Sequence, residues 1–316
     1  MTRNNRYRGI PFRPPARPFI VLTGGSGRAD LAKTLRATAL KLRERGCRVQ
    51  VDPEGEADLR GSKADFVVVF GGDGAILGAA RRMGQQQIPV IGVRFGRFGF
   101  LAELDPSDFE EGLQRLLAGE GRIHERMLLR CRVYRRRRVV VDTLAVNEAL
   151  VTARQVNRMV LALLEVGGDL VTTYHGDGLI VATPLGSTAH SLAAGGPIVS
   201  PAHRSFIVTP LCSHALTNRP LVLPSDVPID IEVLRSRHLA ALTVDGHLVQ
   251  KLEFGDRVHV EEAQVTCKLL SAIGRSYFET LRTKFHWCGA VELGHEEELD
   301  KACEGPRSGA RASRRG

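Results

Sequence analysis

The chain changes its pattern once, and that change limits the folds open to it. Up to about residue 122, short apolar runs alternate with stretches of helical periodicity. FIVLTG (19–24) reads as a buried strand, followed by a helix through LAKTLRATALKLRERG. CRVQVD and DFVVVFGG are the next strands, then a helix from about Ala75 through Met83. IPVIGVRFG (88–96) is another strand and PSDFEEGLQRLLAG (106–119) another amphipathic helix, with Ser107 placed to cap it and Glu110 three positions on. Strands alternating with helices predict a parallel sheet with ligands at its carboxyl ends. From Arg126 onward the chain is strand-rich. RMLLRCRVYRRRRVVVDTLAVNEALV is hairpin-like around its arginines, and MVLALLEVGGDLVTTYHGDGLIVAT has a Gly-Gly-Asp turn between two strands. IDIEVL, AALTVDGHLVQKLEFGDRVHVEEA and CKLLSA add strands before a helical SYFETLRTKFHW.

The expected organisation is an α/β domain over 18–125 and an antiparallel β domain with a C-terminal helix over 126–292. Both lie between a disordered basic arm, 1–17, and a disordered tail, 293–316. At 316 residues the chain is long enough for two ordinary domains. No run approaches the roughly eighteen apolar residues of a membrane-spanning helix, and no signal-like apolar run follows the basic start, which excludes a membrane partner. Cys47, Cys131, Cys212, Cys267, Cys288 and Cys303 are scattered without a C-x-x-C pair, the pattern of reduced thiols in a cytoplasmic protein. The net charge of +9 invites a nucleic-acid reading. Aromatic residues are only 5%, however, and none interleaves with the arginine blocks as a stacking platform would need. Steering of an anionic small-molecule substrate accounts for the charge, with no nucleic acid as partner.

GGDGAILG (71–78) follows the most apolar strand, and it fits neither G-x-G-x-x-G, because Leu77 stands where Gly is needed, nor a P-loop. Its glycines still let backbone approach a ligand, and the following helix N-terminus favours an anion. Asp73 sits in the middle of it. A carboxylate about 5 Å from a phosphate charge costs roughly 3 kcal/mol at an effective dielectric near 20. That cost disappears if the acid binds a magnesium ion shared with phosphates, or takes a proton from an attacking hydroxyl. The alternative is an Asp that caps the helix beginning at Ala75. GFLAEL (99–104) marks a second glycine-rich strand exit, expected beside the first.

A second constellation lies in the strand-rich half. GDGLIVATPLGSTAHSLAAGGP (176–197) is a long run of small and hydroxyl residues, which lets backbone approach a flat ligand. Thr183, Ser187, Thr188 and Ser191 supply hydroxyls there, and Asp177 is an acid in a turn, where G-D-G is also ordinary turn chemistry. Asn147 and Glu148 interrupt the apolar strand LAVNEALV, either to read an adenine edge or ribose hydroxyl or as an edge-strand polar pair. Asp245 in LTVDGHLV reads as the acid of a hairpin turn. His175, His190, His203 and His214 lack metal-ligand spacing, and neither H-E-x-x-H nor G-x-S-x-G occurs.

Taken in order, GGDGAILGAARRM, VIGVRFGRFGFLAEL, VNE, GDGLIVATPLGSTAHSLAAGGPIVSP, LTNRPLVLP and VDGH resemble the NAD kinase family over most of 19–290. GGDG alone also occurs in lipid kinases and phosphofructokinase-type enzymes, whereas the 176–201 stretch is far more specific. The resemblance implies an N-terminal Rossmann-like α/β domain and a C-terminal antiparallel β-sandwich-like domain. It implies phosphorylation of the 2′-hydroxyl of the adenosine ribose of NAD, with ATP or polyphosphate as donor, Mg2+ near Asp73, and homodimers or homotetramers. Asp73 would be the general base and metal-linked acid, and Gly71, Gly72 and Gly74 would frame the phosphates. Asn147 and Glu148 would hold the adenosine portion. Asp177, Thr188 and Ala189 would line the dinucleotide site, with His190 stacking or hydrogen-bonding there and Asp245 approaching the nicotinamide end. Ala75, Arg94, Leu185 and His190 depart from the family's usual Thr, Asn, Thr or Ser, and Tyr. A cationic Arg94 could contact donor phosphate in place of the missing hydroxyl at Ala75. The readings left beside NAD kinase are a catalytically weak NAD(P)-binding regulatory protein and a lipid kinase sharing the glycine loop.

Overall fold

A computed structural model describes residues 7, 9–25, 29–95, 99–154, 158–235 and 240–287. After a short β1 (Ile10–Phe12), the strands β2 (Phe19–Gly24), β3 (Arg48–Asp52), β4 (Phe66–Gly71) and β5 (Val90–Arg94) pair in parallel in the order β3-β2-β4-β5. A short β6 (Ala102–Leu104) lies parallel to β5. The helices between them are α1 (Ala29–Glu44), α2 (Asp73–Met83) and α3 (Phe109–Leu117).

Alternation along the strands decides which helix lies on which face. Ile20, Leu22, Phe66, Val68 and Phe70 pack with Leu31, Leu35 and Leu42 of α1 and Leu113 and Leu116 of α3. The intervening Val21, Val67 and Val69 pack on Ile76, Ala79 and Met83 of α2. Burial on both faces is why these strands are continuous apolar runs, each such side chain contributing about 1.5–3 kcal/mol. It also places α2, and the glycine loop before it, alone among the three helices on its side of the sheet.

The same sheet continues as antiparallel strands: β7 (Gly121–Arg135), β8 (Arg138–Ala145), β10 (Val160–Val166), β11 (Asp169–Gly176), β15 (Ile229–Arg235) and β18 (Arg257–Ser271). A second sheet is antiparallel throughout, in the order β14 (Leu221–Pro224), β13 (Ser205–Leu211), β12 (Gly178–Ala182), β9 (Glu148–Ala153), β16 (Ala240–Val244), β17 (His247–Leu252). Leu129, Cys131, Val133, Ile231, Val233, Val258 and Val260 from one sheet share a core with Val151, Leu179, Val181, Phe206, Val208 and Leu242 from the other. The architecture is thus α/β followed by an antiparallel two-sheet stack. β18 pairs with β7 along its whole length, with β15 at its start and, through Leu269 opposite Val90, with β5 near its end.

The hairpins close as their residues direct. Arg136 and Arg137 (φ 49° and 65°) turn β7 into β8, and Gly167 and Gly168 (φ 62° and 90°) turn β10 into β11. A second unit begins at Gly274, and in it α5 (Tyr277–Phe285) is capped by Ser276, whose Oγ accepts from the Phe278 and Glu279 N–H groups. Among the described residues no helix is long and apolar enough to cross a membrane.

Local expectations change in several places. Within the arm read as disordered, Ile10–Phe12 pairs antiparallel with Gly121–Ile123, because Phe12 buries itself against Phe66. Residues 1–6, 8 and 288–316, which include the tail from 293, lie outside the described residues. Ser107 does not cap α3: Asp108 holds that position without a side-chain cap, and the Ser107 hydroxyl donates to the Asp108 carboxylate. α2 begins two residues before Ala75, so Asp73 lies in its first turn.

Candidate active site

The carboxyl end of β4 runs through Gly71 into Gly72, the N-cap of α2, and Asp73 follows. Asp73 makes no cap. Its Oδ2 accepts the Phe100 N–H at 2.7 Å and its Oδ1 the Leu101 N–H at 3.0 Å. The first glycine loop therefore holds the second, and the two exits lie side by side because β4 and β5 are neighbours. Gly99 makes this possible: a Cβ there would overlap the Asp73 carboxylate. A Cβ at Gly71 would press on that of Ala75 at 2.7 Å, but at Gly72 and Gly74 it would meet no neighbouring atom within 4 Å among the described residues. Arg94, opposite Gly71 in the sheet, is ion-paired with Asp105.

Asn147 and Glu148 do not lie within one strand as the apolar run suggested. β8 ends at Ala145, β9 starts at Glu148, and Val146–Asn147 is a corner between them. Asp245, in the turn after β16 at φ 47°, accepts there the N–H groups of Val146 (2.8 Å), Asn147 (2.8 Å) and Glu148 (3.1 Å). Burial raises its pKa, against the pull of those three donors. Glu148 is 4% exposed. Its Oε1 lies 2.9 Å from His190 Nδ1, while Oε2 is buried with no hydrogen-bond partner among the described residues. Burial raises the pKa of Glu148 too, with the His190 hydrogen bond opposing the shift.

The hydroxyls of 176–197 mostly face inward. Thr183, Ser187 and Ser191 are fully buried. Thr183 Oγ1 donates to Val146 O (2.7 Å), Ser187 Oγ donates to Pro184 O (2.7 Å), and Ser191 Oγ shares a hydrogen bond with Thr209 Oγ1 (2.8 Å). They tie the loop to itself and to its neighbours Val146 and Thr209 rather than offering donors to a ligand. Several of the small residues have the same origin: a Cβ at Gly186 would overlap Asn147 O, and one at Gly178 would stand 2.5 Å from Val151 O. What the loop leaves nearer the surface is Thr188 and Ala189, half-buried, and an exposed His190 at the start of α4 (His190–Ala193). Leu185 packs with Leu77 and Ala80 of α2. Asp177 is the exposed bend where the chain leaves β11 in one sheet and enters β12 in the other.

Among the described residues no three His, Cys, Asp or Glu side chains converge as a metal site. Asp73, with one backbone N–H on each oxygen, keeps lone pairs free. That donor set suits a magnesium ion carried by substrate phosphates, and not one caged by protein ligands. The sequence marked the glycine of GFLAEL and the Thr183 hydroxyl but not their partners. Nothing local to either stretch shows that Gly99 makes room for Asp73 or that Thr183 binds Val146 O.

A family model described as the ATP-NAD kinase N-terminal domain matches residues 30–121, and one described as the ATP-NAD kinase C-terminal domain matches 146–272. Among curated proteins, the NAD kinase of Heliobacterium modesticaldum is 44% identical over 232 residues, 73% of this chain and 82% of its own length. That of Rhodopirellula baltica is 35% identical over 280 residues, 87% of this chain and 89% of its own. Among solved structures, yeast NADH kinase complexed with NADH superposes with a TM-score of 0.79 at 22% identity, over 86% of this chain and 88% of that one. An NAD kinase from Archaeoglobus fulgidus in complex with ATP gives 0.69 at 24%, over 85% and 97%. At these identities the two structures speak for the fold.

Proposed function

The chain belongs to the NAD kinase family and phosphorylates NAD to NADP, and we propose that Asp73 is the general base of that transfer. The 2′-oxygen of the adenosine ribose attacks the terminal phosphorus of ATP or polyphosphate, its proton passes to the Asp73 carboxylate, and the shortened donor leaves. The observation that carries this reading is the acid in the first turn of α2 between Gly72 and Gly74. Among the described residues nothing fills the space beside those glycines, and the close approach of a ligand gives a reason for glycine there. Gly71, Gly72, Gly74 and the α2 N-terminus receive the donor phosphates. A magnesium ion bound with those phosphates would neutralise their charge, with Asp73 the residue to touch it.

In the same proposal Asn147 and Glu148 hold the adenosine portion of NAD. The buried, unpartnered Glu148 Oε2 supports this, since such an atom costs free energy unless a ligand hydroxyl or N–H reaches it. Asp177, Thr188, Ala189 and His190 line the dinucleotide site, the His190 ring offering both a stacking face and a free Nε2. Asp245 belongs to the site through its contact with Asn147 and Glu148. A cytoplasmic location is supported by the free thiols of Cys47, Cys131, Cys212 and Cys267. A homodimer or homotetramer completes the reading.

The test is NADP formation from NAD, ATP and magnesium, run beside Asp73→Asn. The variant is expected to lose kcat by about 10²–10⁴-fold with NAD binding retained. Equal turnover would remove Asp73 from the role.

A further inference from the structure

The corner Val146–Asn147–Glu148 has six backbone hydrogen-bonding groups, and two residues satisfy all of them. Asp245 takes the Val146, Asn147 and Glu148 N–H groups on its carboxylate, and its own N–H donates to Glu148 O at 3.1 Å. Thr183 Oγ1 donates to Val146 O at 2.7 Å, and the Thr183 N–H donates to Asn147 O at 2.8 Å. The same Thr183 hydroxyl accepts the Gly186 N–H at 3.0 Å, and Gly186 lies so close to Asn147 O that a Cβ would overlap it. Asp245 and Thr183 occupy equivalent places: each is the first residue past a strand flanking β9, namely β16 and β12.

We propose that Asp245 and Thr183 are positioning residues that clamp the Asn147–Glu148 corner from both sides and so fix the two side chains that recognise the adenosine half of NAD. The inference rests on the adenosine role of Asn147 and Glu148 given above. The physical case is one of geometry. Val146 and Asn147 lie outside any strand ladder and have no regular partners, and a single carboxylate collecting their N–H groups and that of Glu148 supplies them with charge-assisted bonds. Asp245 and Gly246, at φ 47° and 80°, form the two-residue turn between β16 and β17, a conformation Asp-Gly favours, and that turn fixes where the Asp245 side chain starts. All three N–H groups of the corner converge on this one carboxylate, so Asp245 acts through the corner.

Two measurements test the clamp and separate it from the reading it rests on. Backbone amide exchange at residues 146–148 reads the clamp itself, and is expected to accelerate at least tenfold in Asp245→Asn and in Thr183→Val. Unchanged exchange in both variants would overturn the proposal. Affinity is then measured for NAD and for ADP-ribose, which lacks the nicotinamide. A positioning role predicts that Asp245→Asn weakens both by the same factor, about tenfold or more, with a smaller change in kcat. A loss confined to NAD would overturn the proposal in favour of direct contact at the nicotinamide end. Thr183→Ser, which keeps the hydroxyl, is expected to restore both exchange and affinity. If Asp245→Asn does not fold, the Thr183→Val and Thr183→Ser pair decides the question. The underlying reading fails separately, if Asn147→Ala leaves NAD and ADP-ribose affinity unchanged.

Discussion

Asp73 Oδ2 accepts the Phe100 N–H at 2.7 Å, so the acid at the centre of the first glycine loop is also the anchor of the second. Phosphoryl transfer depends on the placement of a base within hydrogen-bond reach of the attacking hydroxyl. The backbone of residues 100 and 101 sets that placement here, and the missing side chain at Gly99 permits it.

Gly99→Ala is therefore expected to lower kcat by about tenfold or more without unfolding the protein, because the added methyl displaces the Asp73 carboxylate by direct overlap. Steady-state kinetics beside a thermal melt checks both halves of the statement. Unaltered kcat would show that the contact between the loops does not govern catalysis.

Arg82, in the last turn of α2, is ion-paired with Asp52 at 2.7 Å and also donates to Ala57 O and Thr23 Oγ1. The partners are 15% and 8% exposed. Burial raises the Asp52 pKa, but hydrogen bonds from Thr23, Arg82 and the Ala57 and Glu56 N–H groups outweigh it, so the net shift is downward. Arg82→Ala leaves that carboxylate buried without its counter-charge, and is expected to cost about 3 kcal/mol in urea unfolding.

The β7–β8 turn places Arg136 and Arg137 at positive φ, where Asn-Gly is the favoured pair. The double substitution Arg136→Asn, Arg137→Gly is expected to stabilise the fold by about 1 kcal/mol. A higher melting temperature with unchanged NADP formation is the anticipated result.

His124 has its pKa pushed down to about 4 by burial and by the nearby charges of Arg126 and Arg122. The unfolded chain binds its proton near pH 6.5, so this contribution to stability is present above that value and is lost as pH falls towards 4. Urea midpoints between those limits are expected to fall more steeply for the natural protein than for His124→Gln. Parallel profiles would exclude His124 as a source of acid lability.

Much of the fold was legible because its signals are local. Each strand and helix of the alternation, the Gly-Gly-Asp hairpin and the acid in the glycine loop is marked by residues adjacent in sequence. The misreadings come from contacts between distant residues. VNE looked like part of one strand because apolar residues run across it, and only Asp245 and Thr183, far along the chain, make it a corner. The hydroxyls of Thr183, Ser187 and Ser191 were correctly seen as a cluster, but residue type does not state whether a hydroxyl points towards a ligand or into the loop. Asp245 read as a turn acid, and it is one. Its second task is invisible without the partner strand.

β7 and β18 each run for 15 residues, and they remain paired from the antiparallel stack to the edge of the parallel sheet, apart from a register shift between Glu262 and Thr266. A rigid swing of one half over the other would have to shear that ladder. The junction is built like a leaf spring: a continuous ladder resists rotation, and the slipped register is the place where it can yield.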